Sequence, residues 1–158
     1  MKFAAELINR ITKGIDGVRI GVHICRGNWS KQEEVLLTGD YARLLPALER
    51  MDIDQFVLEY ATPRAGDIDV VGKKLSDREL GLGVVNPRTD EVESVAAIVA
   101  KAEKALEYYR PEQLFLNTDC SFGCFAGRSV NVEEIAFKKL CAIVEAAKVL
   151  RRKYCGAT

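Results

Sequence analysis

The residues best equipped for chemistry are His23, Cys25, Glu59 and Cys120. His23 and Cys25 stand two apart at the end of an apolar run, so on an extended chain both side chains point to the same side. Glu59 follows Phe56-Val57-Leu58, where a carboxylate is costly to bury unless it is paired or bound to a metal. Cys120 follows Asp119 after another apolar run. One imidazole nitrogen, two sulfurs and one carboxylate oxygen form a mixed tetrahedral donor set suited to zinc. Each residue also has an ordinary structural reading. His23, the sole histidine, fits a hydrogen-bonding residue at a strand end, and the cysteines fit small buried hydrophobes. No compact zinc-finger spacing links the four.

Positioning these groups falls to four short runs rich in β-branched or aromatic residues: Val18 to Ile24, Gln55 to Tyr60, Gly81 to Asn86 and Gln113 to Thr118. They predict strands. Helical spacing of Val95, Ile98, Val99, Ala102, Ala105, Leu106 and Tyr109 predicts a helix over Ser94 to Tyr109. A last helix begins at Asn131, where Glu134 three residues on suggests a capping box. Its apolar stripe is Ala136, Leu140, Ile143, Val144, Ala147 and Leu150, and Arg151, Arg152 and Lys153 favour its end. Phe3 to Thr12 and Asp40 to Arg50 read as further helices, and Asp67 to Glu79 as a short helix with loops. Strands alternating with helices indicate βα units and a parallel sheet, whose reactive groups gather at the carboxyl ends of the strands.

Strand spacing constrains the fold. Strands lie about 4.8 Å apart, so the first and fourth of a flat sequential sheet would be roughly 14 Å apart, too far to share a metal. A curved sheet, as in half of a (β/α) barrel, closes that distance. The metal site and the barrel therefore stand together.

The 158 residues suffice for one domain with a real core and fall short of the roughly 250 of a closed eight-stranded (β/α) barrel. Lys and Arg total 23, as do Asp and Glu, giving no net charge to draw nucleic acid or anionic lipid. No run approaches the ~18 apolar residues of a spanning helix, and the charged start MKFAAELINRITKG is unlike a signal peptide. These features predict a cytoplasmic protein without nucleic-acid or membrane partners. Five irregularly spaced cysteines argue against a disulfide framework.

The segments GVHICRGNWS, DQFVLEYATPRAGDID, GLGVVNPRTDEVES and LFLNTDCSFG, in this order, resemble the catalytic C-terminal domain of cobalamin-independent methionine synthases and their relatives. These relatives include archaeal-type core methionine synthases and epoxyalkane:coenzyme M transferases. The similarity covers about residues 3–152 and the second half of the family's barrel. It implies that His23, Cys25, Glu59 and Cys120 are zinc ligands, and that zinc presents the thiol of homocysteine, or another small thiol, to a methyl or alkyl donor. Thiolate formation is the chemical reason, since a free thiol near pKa 8.5 is mostly protonated at neutral pH whereas a metal-bound one is not. Where the methionine synthases carry a catalytic histidine after the third strand, this sequence has Arg88, which holds its proton near neutral pH and suits orienting or binding an anion. Asn117 and Asp119 are further candidates, for orienting Cys120 or the substrate.

Residues 1–158 thus read as a single partial domain, an α/β TIM-type half barrel of about four βα units. Two open edges and an exposed apolar interior follow from that reading. Three explanations stand: a fragment that begins in the helix before the family's fifth strand, a partner chain supplying the N-terminal half, or a homodimer. The expected function is zinc-dependent methyl or alkyl transfer to a thiol. The alternatives are epoxyalkane-type alkylation of coenzyme M and a non-catalytic zinc-binding or assembly module. The Cys120-x-x-x-Cys124 spacing departs from the redox C-x-x-C, and no phosphate-cradling loop or serine nucleophile elbow occurs. Trp29 reads equally as pocket lining or packing, and Lys101 to Glu107 as a solvated helix face.

Overall fold

The computed structural model describes residues 2–156, and for Lys2, Glu33 and Cys124 the backbone alone. Cys124 therefore leaves the Cys120-x-x-x-Cys124 spacing outside the described side chains. Four parallel strands form one sheet in sequential order: β1 (Gly21–Ile24), β2 (Gln55–Leu58), β3 (Glu79–Val85) and β4 (Leu114–Thr118). Helices α1 (Lys2–Thr12), α2 (Leu45–Leu48), α3 (Asp69–Leu75), α4 (Val95–Ala105) and α5 (Glu133–Tyr154) alternate with them. All four strand expectations and the parallel βα architecture hold. Register pairs Val22 with Phe56, Phe56 with Leu80, and Leu80 with Leu114, so that one face of the sheet carries aliphatic and aromatic side chains onto the helices. Phe56, Leu58, Leu80, Leu82 and Ile98 are the buried centre of that layer.

The opposite face is narrow and built on glycine. A Cβ on Gly81 would lie 2.3 Å from Asn117 Nδ2, and one on Gly83 would lie 2.1 Å from Asp119 Oδ1. β3 therefore carries no side chain at these two positions, and Asn117 of β4 and Asp119 just beyond it occupy the space over them. Asp119 Oδ1 accepts a 2.8 Å hydrogen bond from the Ala61 N–H just beyond β2. This crossing draws the strand ends together and curves the sheet.

Several local expectations change. The helix expected over 40–50 is one turn, because Pro46 starts it at the N-terminal end and the Asp40 side chain caps Ala42 N in a separate turn. The capping box at Asn131 does not form. Asn131 Oδ1 accepts from the adjacent Val132 N–H, and its amide donates to the carbonyls of Pro87 and Thr89, so tertiary bonds win over local capping. The α5 stripe divides: Ile143 and Leu150 are buried with Ala142 and Ala146, whereas Leu140 and Val144 are exposed. Lys101 leaves the solvent face and donates to the carbonyls of Tyr60 and Ala61 at 2.6 and 2.7 Å; burial lowers its pKa. A hairpin, β5 (Gly123–Phe125) with β6 (Arg128–Ser129), has no counterpart in the apolar pattern. No helix among the described residues is long and apolar enough to cross a membrane.

Candidate metal centre

His23 lies in β1, Cys25 one residue past it, Glu59 one residue past β2 and Cys120 two residues past β4. All three strands end on the same side, so the curvature brings their next residues into one group. One ligand atom from each of the four lies within 4.8 Å of all the others. The two sulfurs are 3.9 Å apart, and His23 Nε2 is 3.6 Å from Glu59 Oε1. Sulfurs each ~2.3 Å from a tetrahedral zinc stand about 3.8 Å apart, so the sulfur pair has the spacing the ion requires.

Hydrogen bonding leaves the correct atoms available. His23 Nδ1 lies 3.0 Å from the Val57 carbonyl, which fixes the proton on that nitrogen and turns the Nε2 lone pair to the cluster. Glu59 is buried, at 1% exposure. Its Oε2 accepts from the Arg26 N–H at 2.9 Å and the Asn28 amide at 2.5 Å, whereas Oε1 has no hydrogen-bond partner among the described residues. A buried carboxylate with one oxygen bonded twice and the other bare is expensive unless a cation meets the bare oxygen. The neighbouring Glu59 carboxylate raises the His23 pKa, with burial opposing. Gly27 N donates to Cys25 Sγ at 3.4 Å. The donor set and its orphaned oxygen fit a metal ion.

Asp119 sits directly behind the four. Burial pushes its pKa up to about 7, the Ala61 N–H lowers it, and the Glu59 charge raises it. Its Oδ2 is 3.5 Å from the Asn28 amide, so Asn28 bridges the two acids. Asn117 lies over Gly81, one layer deeper. Arg88 is directed elsewhere: Nε donates to the Ser30 carbonyl at 2.6 Å and Nη2 to the Lys31 carbonyl at 3.0 Å. Trp29 is exposed and meets Phe125 of the hairpin edge-on, ring centres 5.9 Å apart. Sequence reasoning missed Asn28, whose partners are 31 and 91 residues away; only its proximity to Cys25 hinted at a role.

Residues 6–149 match the profile of the family described as cobalamin-independent synthase, catalytic domain. The methionine synthase of Pyrococcus horikoshii is 35% identical over 150 residues, covering 95% of this chain and 38% of that protein. That of Thermococcus kodakarensis is 33% identical over 153 residues, covering 97% and 40%. The structure of a B12-independent methionine synthase from Shewanella sp. W3-18-1 in complex with selenomethionine superposes with a TM-score of 0.80 at 20% identity, covering 97% of this chain and 44% of that one. At that identity the likeness establishes the fold, a TIM-type barrel of which this chain is part. The chain spans about two fifths of the length of the curated relatives it matches. With the profile matched over nearly its whole length, the chain belongs to the family of cobalamin-independent synthase catalytic domains.

Proposed function

We propose that this chain is the zinc-binding half of a (β/α) barrel that transfers a methyl group to the thiol of homocysteine. The observation carrying this reading is the buried Glu59, which sets a carboxylate oxygen within 4.8 Å of a histidine nitrogen and two cysteine sulfurs while its Oε1 has no hydrogen-bond partner among the described residues. His23, Cys25, Glu59 and Cys120 would hold the ion, and zinc there would keep a substrate thiol deprotonated at neutral pH. Two thiolates and a carboxylate exceed the charge of a divalent ion, which leaves an incoming sulfur electron-rich. Asn28 and the Arg26 N–H hold Glu59 by one oxygen. Asp119 braces Asn28 and the end of β2, and Asn117 packs the floor beneath. Residues 1–158 would act as one unit, and the barrel's other strands would come from a longer protein of which this is a piece, from a partner chain or from a second copy. Cys25 and Cys120, read as reduced metal ligands, suit a reducing compartment such as the cytoplasm.

The test is zinc content per chain, followed by methyl transfer to homocysteine after mixing with the N-terminal half of a methionine synthase relative. Near one zinc per chain and methionine formation only in the mixture are expected. Zinc without alkylation by any methyl or epoxide donor would favour the non-catalytic module, and no zinc in folded protein would overturn the reading.

A further inference from the structure

Lys139 on α5 is completely buried, a rare position for lysine without a compelling partner. Its ammonium donates to Glu93 Oε2 at 2.9 Å and to the Glu91 carbonyl. Both acceptors belong to the segment between β3 and α4. The other oxygen of Glu93 accepts from the Asn86 N–H at 2.7 Å, and the Asn86 side chain accepts from the Arg88 N–H at 3.0 Å. The Asn131 amide holds the carbonyls on either side of Arg88, Pro87 at 3.2 Å and Thr89 at 2.8 Å. The backbone of Arg88 is thus fixed from α5 and from its own segment. Its guanidinium then reaches a different loop, gripping the Ser30 and Lys31 carbonyls through the planar fork that lysine lacks. Two residues before Ser30 stands Asn28, whose amide occupies Glu59 Oε2.

We propose that Arg88 is a positioning residue of the metal centre. Anchored by the pair of half-buried Glu93 with buried Lys139, it clasps the loop after β1 so that Asn28 holds one oxygen of Glu59 and leaves the other for the ion. This role rests on the metal-centre reading above. It gives Arg88 a function other than proton transfer or anion binding, and it explains a buried lysine far from any ligand. Without the clasp, residues 28–32 lose their tie to Arg88, Asn28 leaves Glu59, and the carboxylate no longer presents Oε1 in a fixed direction.

The experiment uses the full chain, with Arg88→Ala, Arg88→Lys and Lys139→Met. Cobalt(II) is the metal probe, its affinity is read by chelator competition, and the sulfur-to-cobalt charge-transfer absorption reports the site. Amide hydrogen exchange of residues 27–31 is followed separately in metal-free protein. Arg88→Ala is expected to lose about 10–100-fold in cobalt affinity, the usual effect of removing a group that orients a ligand, and to exchange faster at 27–31. Added guanidinium ion should restore part of the affinity in Arg88→Ala and none in Asn28→Ala. Lys139→Met should move both readouts the same way. Should Arg88→Ala fail to fold, Arg88→Lys carries the test, because it keeps the charge and loses the fork. Unchanged affinity, with exchange faster or not, would overturn the proposal, as would lost affinity with unchanged exchange. A wild-type chain that binds no cobalt would refute the metal-centre reading, and exchange alone would then decide the clasp.

Discussion

Glu59 shows how a single side chain can disclose a site. A carboxylate with one oxygen held by Arg26 N–H and Asn28 and the other without a hydrogen-bond partner among the described residues is only half satisfied by protein hydrogen bonds. Replacing Asn28 by alanine frees Oε2 to compete with Oε1, and zinc affinity measured against a chelator should fall about 10–100-fold while the circular dichroism spectrum stays native. Tyr60 presents the contrasting case, a buried hydroxyl with no hydrogen-bond partner among the described residues. Tyr60→Phe removes an unmet polar group and should stabilise the fold by about 1 kcal/mol in urea unfolding. The same residue governs alkaline behaviour. Burial raises the phenols of Tyr60 and Tyr109, and pushes Tyr41 up to about 12, all from the usual 10. Above pH 10 the unfolded chain releases protons that the native one keeps, so stability falls as pH rises through that range. Tyr60→Phe should make the fall shallower; an identical slope would show that Tyr60 ionises equally in both states.

The elements differ in how openly the sequence announces them. Strands stand out because each is a compact run of β-branched and aromatic residues, and His23, Cys25, Glu59 and Cys120 stand out because all four follow or end such runs. What joins the elements is less visible. Asn28 to Glu59, Lys139 to Glu93 and Asn131 to Pro87 span 31, 46 and 44 residues, and no local pattern encodes them. The hairpin of β5 and β6 is too short and exposed to show alternation. Gly81 and Gly83 resemble part of a nucleotide fingerprint, yet their role is steric: they clear the floor over which Asn117 and Asp119 cross. Gly83→Ala places a methyl group against Asp119 and the Leu58 carbonyl within the sheet. Thermal unfolding should show a loss of about 1–3 kcal/mol, the range for overpacking, accompanied by reduced zinc retention. A native melting temperature with full zinc would mean that β4 does not depend on the glycines to reach β2.

Across the whole molecule, the sheet order leaves β1 and β4 as edges. Apolar residues crowd both flanks: Phe3, Leu7 and Ile11 on α1, and Phe137, Leu140 and Val144 on α5, with Phe3 at 74% and Phe137 at 66% exposure. Such faces favour association. Sedimentation should show concentration-dependent self-association, replaced by a one-to-one complex when the N-terminal half of a relative's barrel is added; a monomer indifferent to that half would contradict the half-barrel account. The central claim is the converged metal site, and X-ray absorption at the zinc edge, with metal content, tests it most directly in wild type, Cys120→Ser and Glu59→Gln. The account predicts close to one zinc per wild-type chain, with two sulfur neighbours near ~2.3 Å and two nitrogen or oxygen neighbours near ~2.0–2.2 Å. One sulfur should be lost in Cys120→Ser, and metal should be depleted in Glu59→Gln. A folded wild-type chain without zinc, or zinc with no sulfur neighbours, would contradict it.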